Sequence, residues 1–312
     1  MARLAAEPDG WTDKFARMSS EPTRVDFPSS EGVTIAAYRW DPEGTPKAIA
    51  QITHGVGEYA TRYARVAEAL TAAGYVVYAH DHRAHANSLG PQGEYGALGP
   101  NGWTELVADI GRMGARAREA HPGLPLGLVA HSLGSFAAQQ LLLDHSEDVD
   151  AVALSGTAAF DLLAPSMDPD APMDLSGFNA AFQQQRTAFD WISRDEAEVD
   201  AYIAHEWCGF GLDVIGTQGL FAGARAVTDP ERLAAMRKDL PVYITVGEMD
   251  PVNSGLVRVD ALVDRYRAAG LTDLTIRVWP GARHEVFNET NRFEVIVDLV
   301  DWLDAKLVGA RV

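Results

Sequence analysis

Apolar and polar residues alternate over two short stretches near the start of the chain, 23–27 and 33–40, with Pro28, Ser29, Ser30 and Gly32 between them. Period-two alternation around a turn predicts a β-hairpin. Residues 41–46 carry turn chemistry, and 47–53 (Ala48, Ile49, Ala50, Ile52) read as a buried strand that ends at His54-Gly55. Over 59–73, Tyr63, Val66 and Leu70 recur at helical spacing, and Gly74 stands where a C-cap belongs. A strand at 75–79 precedes a helix at 101–120, which carries Trp103, Val107, Ile110 and Met113 and is stopped by Pro122. Strands at 126–130 and 149–154 enclose another helical pattern. Strand and helix in alternation predict an α/β fold, a mostly parallel sheet with helices on both faces.

That rhythm stops over 155–229. Pro165, Pro169 and Pro172 break the segment, and Phe178/Phe182, Phe189/Ile192 and Val199/Ile203 mark short amphipathic helices. It resumes with a strand at 241–246, a helix at 255–269, a strand at 274–279 and a last helix at 292–307. The organisation expected is a core domain in two parts, 1–154 and 230–312, with a helical cap inserted at 155–229.

Composition narrows the partners. The 312 residues are 47% hydrophobic, ample for a core, and 26 basic against 44 acidic residues give a net charge of −18. Such a surface disfavours nucleic acid and strong adsorption to anionic lipid, leaving at most transient membrane or micelle contact through the cap. Cys208 is the single cysteine, so no intrachain disulfide forms. Residues 1–20 are Ala-rich but interrupted by Glu7, Asp9, Asp13 and Lys14, unlike the apolar centre of a signal peptide. No stretch reaches the length of a transmembrane span. A soluble, cytoplasmic protein is the expectation.

The candidate chemistry begins at Ala130-His131-Ser132-Leu133-Gly134, where an apolar strand runs directly into a helical pattern. A serine on such a sharp strand-to-helix turn presents its hydroxyl above the sheet, with the helix N-terminus aimed at developing negative charge. An ordinary serine N-cap gives the same local pattern. A serine nucleophile needs a base, and the base needs an orienting carboxylate. Asp250 follows the strand at 241–246 and His284 follows the strand at 274–279, so serine, acid and histidine occur in that order, each beyond a strand. Ser132, Asp250 and His284 are therefore the candidate triad. The backbone N–H groups of Leu133 and Val56, the latter in His54-Gly55-Val56-Gly57-Glu58, are the candidate oxyanion hole. His54 is expected to brace that loop. His80, Asp81, His82 and His85 form a dense cluster, read as a hydrogen-bonded loop anchor rather than a metal site. Cys208 reads as a small buried hydrophobe rather than a nucleophile.

Five motifs, His54 to Glu58, Asp81-His82-Arg83, Ala130 to Gly134, Gly247-Glu248-Met249-Asp250 and His284-Glu285-Val286-Phe287-Asn288-Glu289, resemble the monoacylglycerol lipase and bacterial lysophospholipase (serine aminopeptidase-like) group of α/β-hydrolases. The resemblance extends from about Val33 onward. It implies an eight-stranded α/β-hydrolase sheet with a cap, and supports the triad and oxyanion hole named above. It also suggests Glu58 and Arg62 near the alcohol end of a substrate, although a surface i,i+4 ion pair explains them equally well. Phe178 and Phe182 are candidates for an acyl pocket. Ala130 stands in place of the first elbow glycine, and Ala84 and Ala86 replace glycines usual in the group. If those two positions require positive φ, the loop 81–88 is strained or rearranged.

The reaction implied is acyl transfer from a carboxylic ester with an apolar acyl chain, monoacylglycerol- or lysophospholipid-like, needing no metal or organic cofactor. A short-chain or aromatic carboxylesterase and a C–C bond hydrolase share the scaffold. A non-catalytic binding protein would be expected to lose a triad member, and none is lost.

Overall fold

The computed structural model describes residues 21–309; the expectation for residues 1–20 lies outside them. Buried strands rich in Val, Ile and Ala assemble into one eight-stranded sheet. In chain order the strands are β1 (Thr23–Arg24), β2 (Phe27–Pro28), β3 (Thr34–Ile35), β4 (Ala37–Trp40), β5 (Ala48–Thr53), β6 (Tyr75–His80), β7 (Leu126–His131), β8 (Ala151–Ser155), β9 (Val242–Gly247) and β10 (Leu274–Trp279). The large sheet runs β1-β4-β6-β5-β7-β8-β9-β10; β4 is antiparallel to both of its neighbours, β1 and β6, and the six strands from β6 to β10 in that order are mutually parallel. The N-terminal hairpin forms as β2 against β3, while its outer ends, β1 and β4, pair onto the edge of the large sheet.

Period-two alternation divides each strand between two apolar layers. Val152 and Leu154 of β8 join one core, and Ala151 and Ala153 join the other. Helices α1 (Ala64–Ala72) and, at the far end of the chain, Arg292–Leu307 cover the second face with Val66, Leu70, Val295 and Leu299. The first face carries α2 (Gly102–Ala120) and α3 (Leu133–His145) through Leu106, Ile110, Phe136 and Leu142. Each such buried side chain contributes about 1.5–3 kcal/mol. This sandwich fixes the carboxyl ends of the parallel strands at one edge, with Thr53 paired to Ala130 and Gly247 to Trp279. The loops leaving those ends carry the candidate residues.

Between β8 and β9 the chain contains α4 (Phe160–Leu163), α5 (Glu196–Ala204), α6 (Val214–Ala226) and α7 (Pro230–Ala235), followed after β9 by α8 (Val257–Ala268) and by the last helix, α9 (Arg292–Leu307). Among the described residues, 156–229 hold no strand. Two of the three helical pairs expected there are shorter than predicted. Phe178 lies in a 3-10 turn, Ser176–Ala181, that ends before Phe182, and Ile192 closes another, Asp190–Ile192. Only Val199/Ile203 sits on an α-helix, capped by Asp195 accepting from the Ala197 N–H.

Candidate active site

Ser132 joins β7 to α3 with φ 49° and ψ −120°, a conformation rare for a residue with a Cβ. Its N–H donates to the Ser155 carbonyl at 2.9 Å, and the Gly134 N–H donates to the His54 carbonyl at 3.1 Å. A Cβ on Gly134 would lie 2.5 Å from His54 O and 2.7 Å from Thr53 O, so the start of α3 approaches β5 only with glycine there. Ala130 is different. It sits fully buried on β7, and its methyl belongs to the core, so the departure from glycine is accommodated.

His284 Nε2 lies 2.8 Å from Ser132 Oγ, and His284 Nδ1 lies 2.9 Å from Asp250 Oδ2. With Nδ1–H donating to the carboxylate, Nε2 accepts from the serine hydroxyl. The other Asp250 oxygen accepts from the Val252 N–H at 2.9 Å, and Asn253 Nδ2 holds the same turn through the Gly247 carbonyl at 2.7 Å. All three candidate side chains are buried. Burial opposes charge on the His284 imidazole, but the Asp250 carboxylate, with Glu285 and Glu58 behind it, outweighs that and raises its pKa above the ordinary histidine value. This geometry can deprotonate a serine and stabilise the imidazolium that results.

Val56 and Leu133 line the cavity over Ser132. Among the described residues, neither N–H donates to another protein group. His54 braces their loop: Nδ1–H donates to the Gly55 carbonyl at 2.7 Å, and Nε2 accepts from the His82 N–H at 2.9 Å.

The remaining lining is apolar and comes from both parts of the chain: Phe136, Phe160, Leu163, Met167, Met173, Leu175, Phe178, Trp191, Leu220 and Val252. Phe178 is thus at the pocket. Phe182 is not; its ring carries the Arg283 guanidinium at 4.5 Å. The cavity keeps only about 30 Å³ of free space, room for about one water. Trp191, an aromatic of the segment 155–229 that the sequence offers for such a pocket, is at it as well, whereas Met167 and Met173 escape sequence reasoning because they lie in irregular backbone with no period to place them.

Glu58 and Arg62 also lie outside the lining. Their ion pair, 3.0 Å, is not the surface pair considered from spacing alone: Arg62 Nη1 also meets Glu285 Oε1 at 2.6 Å, and all three side chains are largely buried. Glu58 further accepts from the Gly55 N–H at 2.5 Å and from Tyr63 Oη at 2.8 Å. Through Arg62 it therefore ties the loop at 54–57 to the residue that follows His284.

Ala84 and Ala86 do adopt positive φ, 59° and 39°. The strain, roughly 1–2 kcal/mol each, is opposed by anchors: Asp81 accepts from Ala60 N–H and Tyr38 Oη, and Arg83 donates to Asp109. Burial lowers the pKa of His80 and of His85 to about 4. Among the described residues, no group of three His, Cys, Asp or Glu side chains is arranged to hold a metal ion. Burial pushes the Cys208 thiol up to about 12, away from thiolate reactivity. Among the described residues, no helix is long and apolar enough to cross a membrane.

Comparison with known proteins extends these observations. The family described as "Serine aminopeptidase, S33" matches residues 44–291. The chain is 30% identical over 295 residues to a monoacylglycerol lipase of Mycolicibacterium smegmatis, covering 93% of this chain and 100% of that one. Human monoglyceride lipase is 26% identical, over 84% of this chain and 83% of its own. A thermostable carboxyl esterase from Bacillus coagulans superposes with a TM-score of 0.79 at 24% identity, covering 93% and 100% of the two chains. A soluble variant of monoglyceride lipase from Saccharomyces cerevisiae, bound to a substrate analogue, gives 0.73 at 16%, over 93% and 97%. The fold they share is the α/β-hydrolase fold.

Proposed function

Because this chain belongs to the serine aminopeptidase S33 family and is a hydrolase, we propose that it is a serine carboxylic-ester hydrolase working through an acyl-enzyme on monoacylglycerol- or lysophospholipid-like esters. The observation that carries the reading is the hydrogen-bonded line Ser132–His284–Asp250, 2.8 Å and 2.9 Å, on a strained elbow beside two free backbone donors. The relatives named for monoacylglycerol and monoglyceride support the lipid-like substrate.

In this mechanism Ser132 Oγ attacks the ester carbonyl while His284 Nε2 takes its proton. Asp250 stabilises the imidazolium, and the N–H groups of Val56 and Leu133 receive the oxyanion. The tetrahedral species collapses as His284 returns the proton to the leaving alcohol oxygen. A water then loses a proton to His284, attacks the acyl carbonyl, and frees the acid and Ser132. Residues 155–229 act as a cap over the acyl chain, and Phe178 contributes to its pocket. No cofactor takes part. The reading includes a cytoplasmic enzyme that meets membranes or micelles only transiently through that cap.

A short-chain or aromatic esterase is the second reading, favoured by the small free space of the cavity. Hydrolysis of p-nitrophenyl esters across acyl lengths, wild type beside Ser132→Ala, separates the two. A long-chain optimum supports the lipid-like ester, and a sharp optimum at acetate or butyrate supports the alternative.

A further inference from the structure

The Trp191 Nε1–H is a buried donor with no partner among the described residues. Indole N–H groups in protein interiors ordinarily find an acceptor, and an unpaired one is a cost that calls for a cause. The residue is not free to turn toward water. Its backbone N–H donates to Asn179 Oδ1 at 2.9 Å, and its carbonyl accepts from the His284 N–H at 3.3 Å. Its ring lies between Phe178, centroids 4.9 Å apart, and the His284 imidazole, 4.8 Å apart. Trp191 also lines the cavity that holds Ser132, whose other side chains are apolar.

The position selects one half of a bound ester. In the proposed reaction His284 hands its proton to the leaving oxygen, so the alcohol half must lie against the imidazole. The acyl half is left to the lining formed by Phe136, Leu163 and Met173. A ring packed on His284 therefore faces the alcohol.

We propose that Trp191 Nε1–H donates a hydrogen bond to an oxygen on the alcohol half of the ester, making Trp191 a specificity-determining residue for alcohols that carry a second oxygen. The inference rests on the ester-hydrolase reading and adds a contact made by this chain's own tryptophan. The donor is satisfied when such a substrate is bound and left unpaired when the alcohol is a plain alkyl group, and that difference is the source of discrimination.

The test uses two esters of one fatty acid that differ in a single group, the 2-hydroxyethyl ester and the propyl ester. The ratio of their kcat/KM values is measured for the wild type and for Trp191→Phe, which keeps an aromatic ring and removes the N–H. The expected result is that the variant lowers the hydroxyethyl-to-propyl ratio about ten-fold. A merely structural role would depress both esters together and leave the ratio where it was; that result overturns the inference. The wild type alone carries a second test if the variant does not fold, since a ten-fold or larger preference for the propyl ester also overturns it. Turnover of neither ester by the wild type would instead remove the ester-hydrolase reading, and the inference with it.

Discussion

Arg62 Nη1 lies 2.6 Å from Glu285 Oε1 and 3.0 Å from Glu58 Oε2, so one guanidinium joins the end of the loop at 54–58 to the residue that follows His284. The Tyr202 ring closes over it at 5.0 Å. Removing the cation strands two buried carboxylates, which costs more than the pair itself contributes. Arg62→Met is expected to lower unfolding free energy by roughly 3–5 kcal/mol, read by urea titration. Arg62→Met/Glu285→Gln should recover part of that loss. A cost under about 1 kcal/mol, the range of exposed pairs, would show that the cluster is solvated.

In the proposed mechanism His284 acts as a base only when neutral, and its neighbouring carboxylates favour the charged form against burial, so the acid limb of kcat/KM should have its midpoint above 6.5. Below the raised pKa the imidazole is protonated and the rate falls. Asp250→Asn removes the main source of that upward shift. It is expected to move the limb to lower pH and to cut kcat by roughly a thousand- to ten-thousand-fold. A limb that stays in place in the variant would separate Asp250 from the titration.

The elbow, the order Ser132, Asp250, His284 and the strand–helix rhythm are legible in the sequence because each depends on local chemistry: periodicity, a strand end, a turn. The last helix has the same bounds in the sequence pattern and in the fold for that reason. The segment before β9 is less legible. Helix α6 contains Gly216, Gly219 and Gly223, poor helix formers that conceal it in the sequence. A Cβ on Gly219 would fall 2.6 Å from Trp103 Cβ, so close packing on α2, a long-range fact, explains a composition that argues against a helix. The burial of Glu58 and Arg62 is equally non-local, since Glu285 and Tyr202 arrive from more than a hundred residues away.

Four neighbouring histidines should make the protein acid-sensitive. Burial holds His80 and His85 at about 4 and His54 and His82 well below the ordinary 6.5. The folded state keeps them neutral while the unfolded chain takes up protons below 6.5, so stability is present above that pH and is lost as pH falls toward 4. Unfolding free energy should drop between pH 7.5 and 5, with His80 and His85 contributing roughly 1–2 kcal/mol each. His80→Phe should shrink that difference in paired denaturant titrations; an unchanged difference would mean that His80 does not contribute to it.

Two substitutions at the elbow should have unequal effects. Gly134→Ala drives a methyl into the backbone oxygens of His54 and Thr53 and is expected to cost roughly 2–3 kcal/mol, with loss of activity as the turn shifts. Ala130→Gly removes one buried methyl for about 1 kcal/mol and should leave the turn formed. Thermal unfolding of both variants checks the contrast, and equal losses would contradict the close approach at Gly134.

The nucleophile is the centre of the account. Treatment with a fluorophosphonate, followed by peptide mass mapping, reads it directly. Modification confined to Ser132, abolished in Ser132→Ala together with ester hydrolysis, is the predicted result. Undiminished hydrolysis by Ser132→Ala, or a wild-type protein that hydrolyses esters while Ser132 stays unmodified, would contradict it.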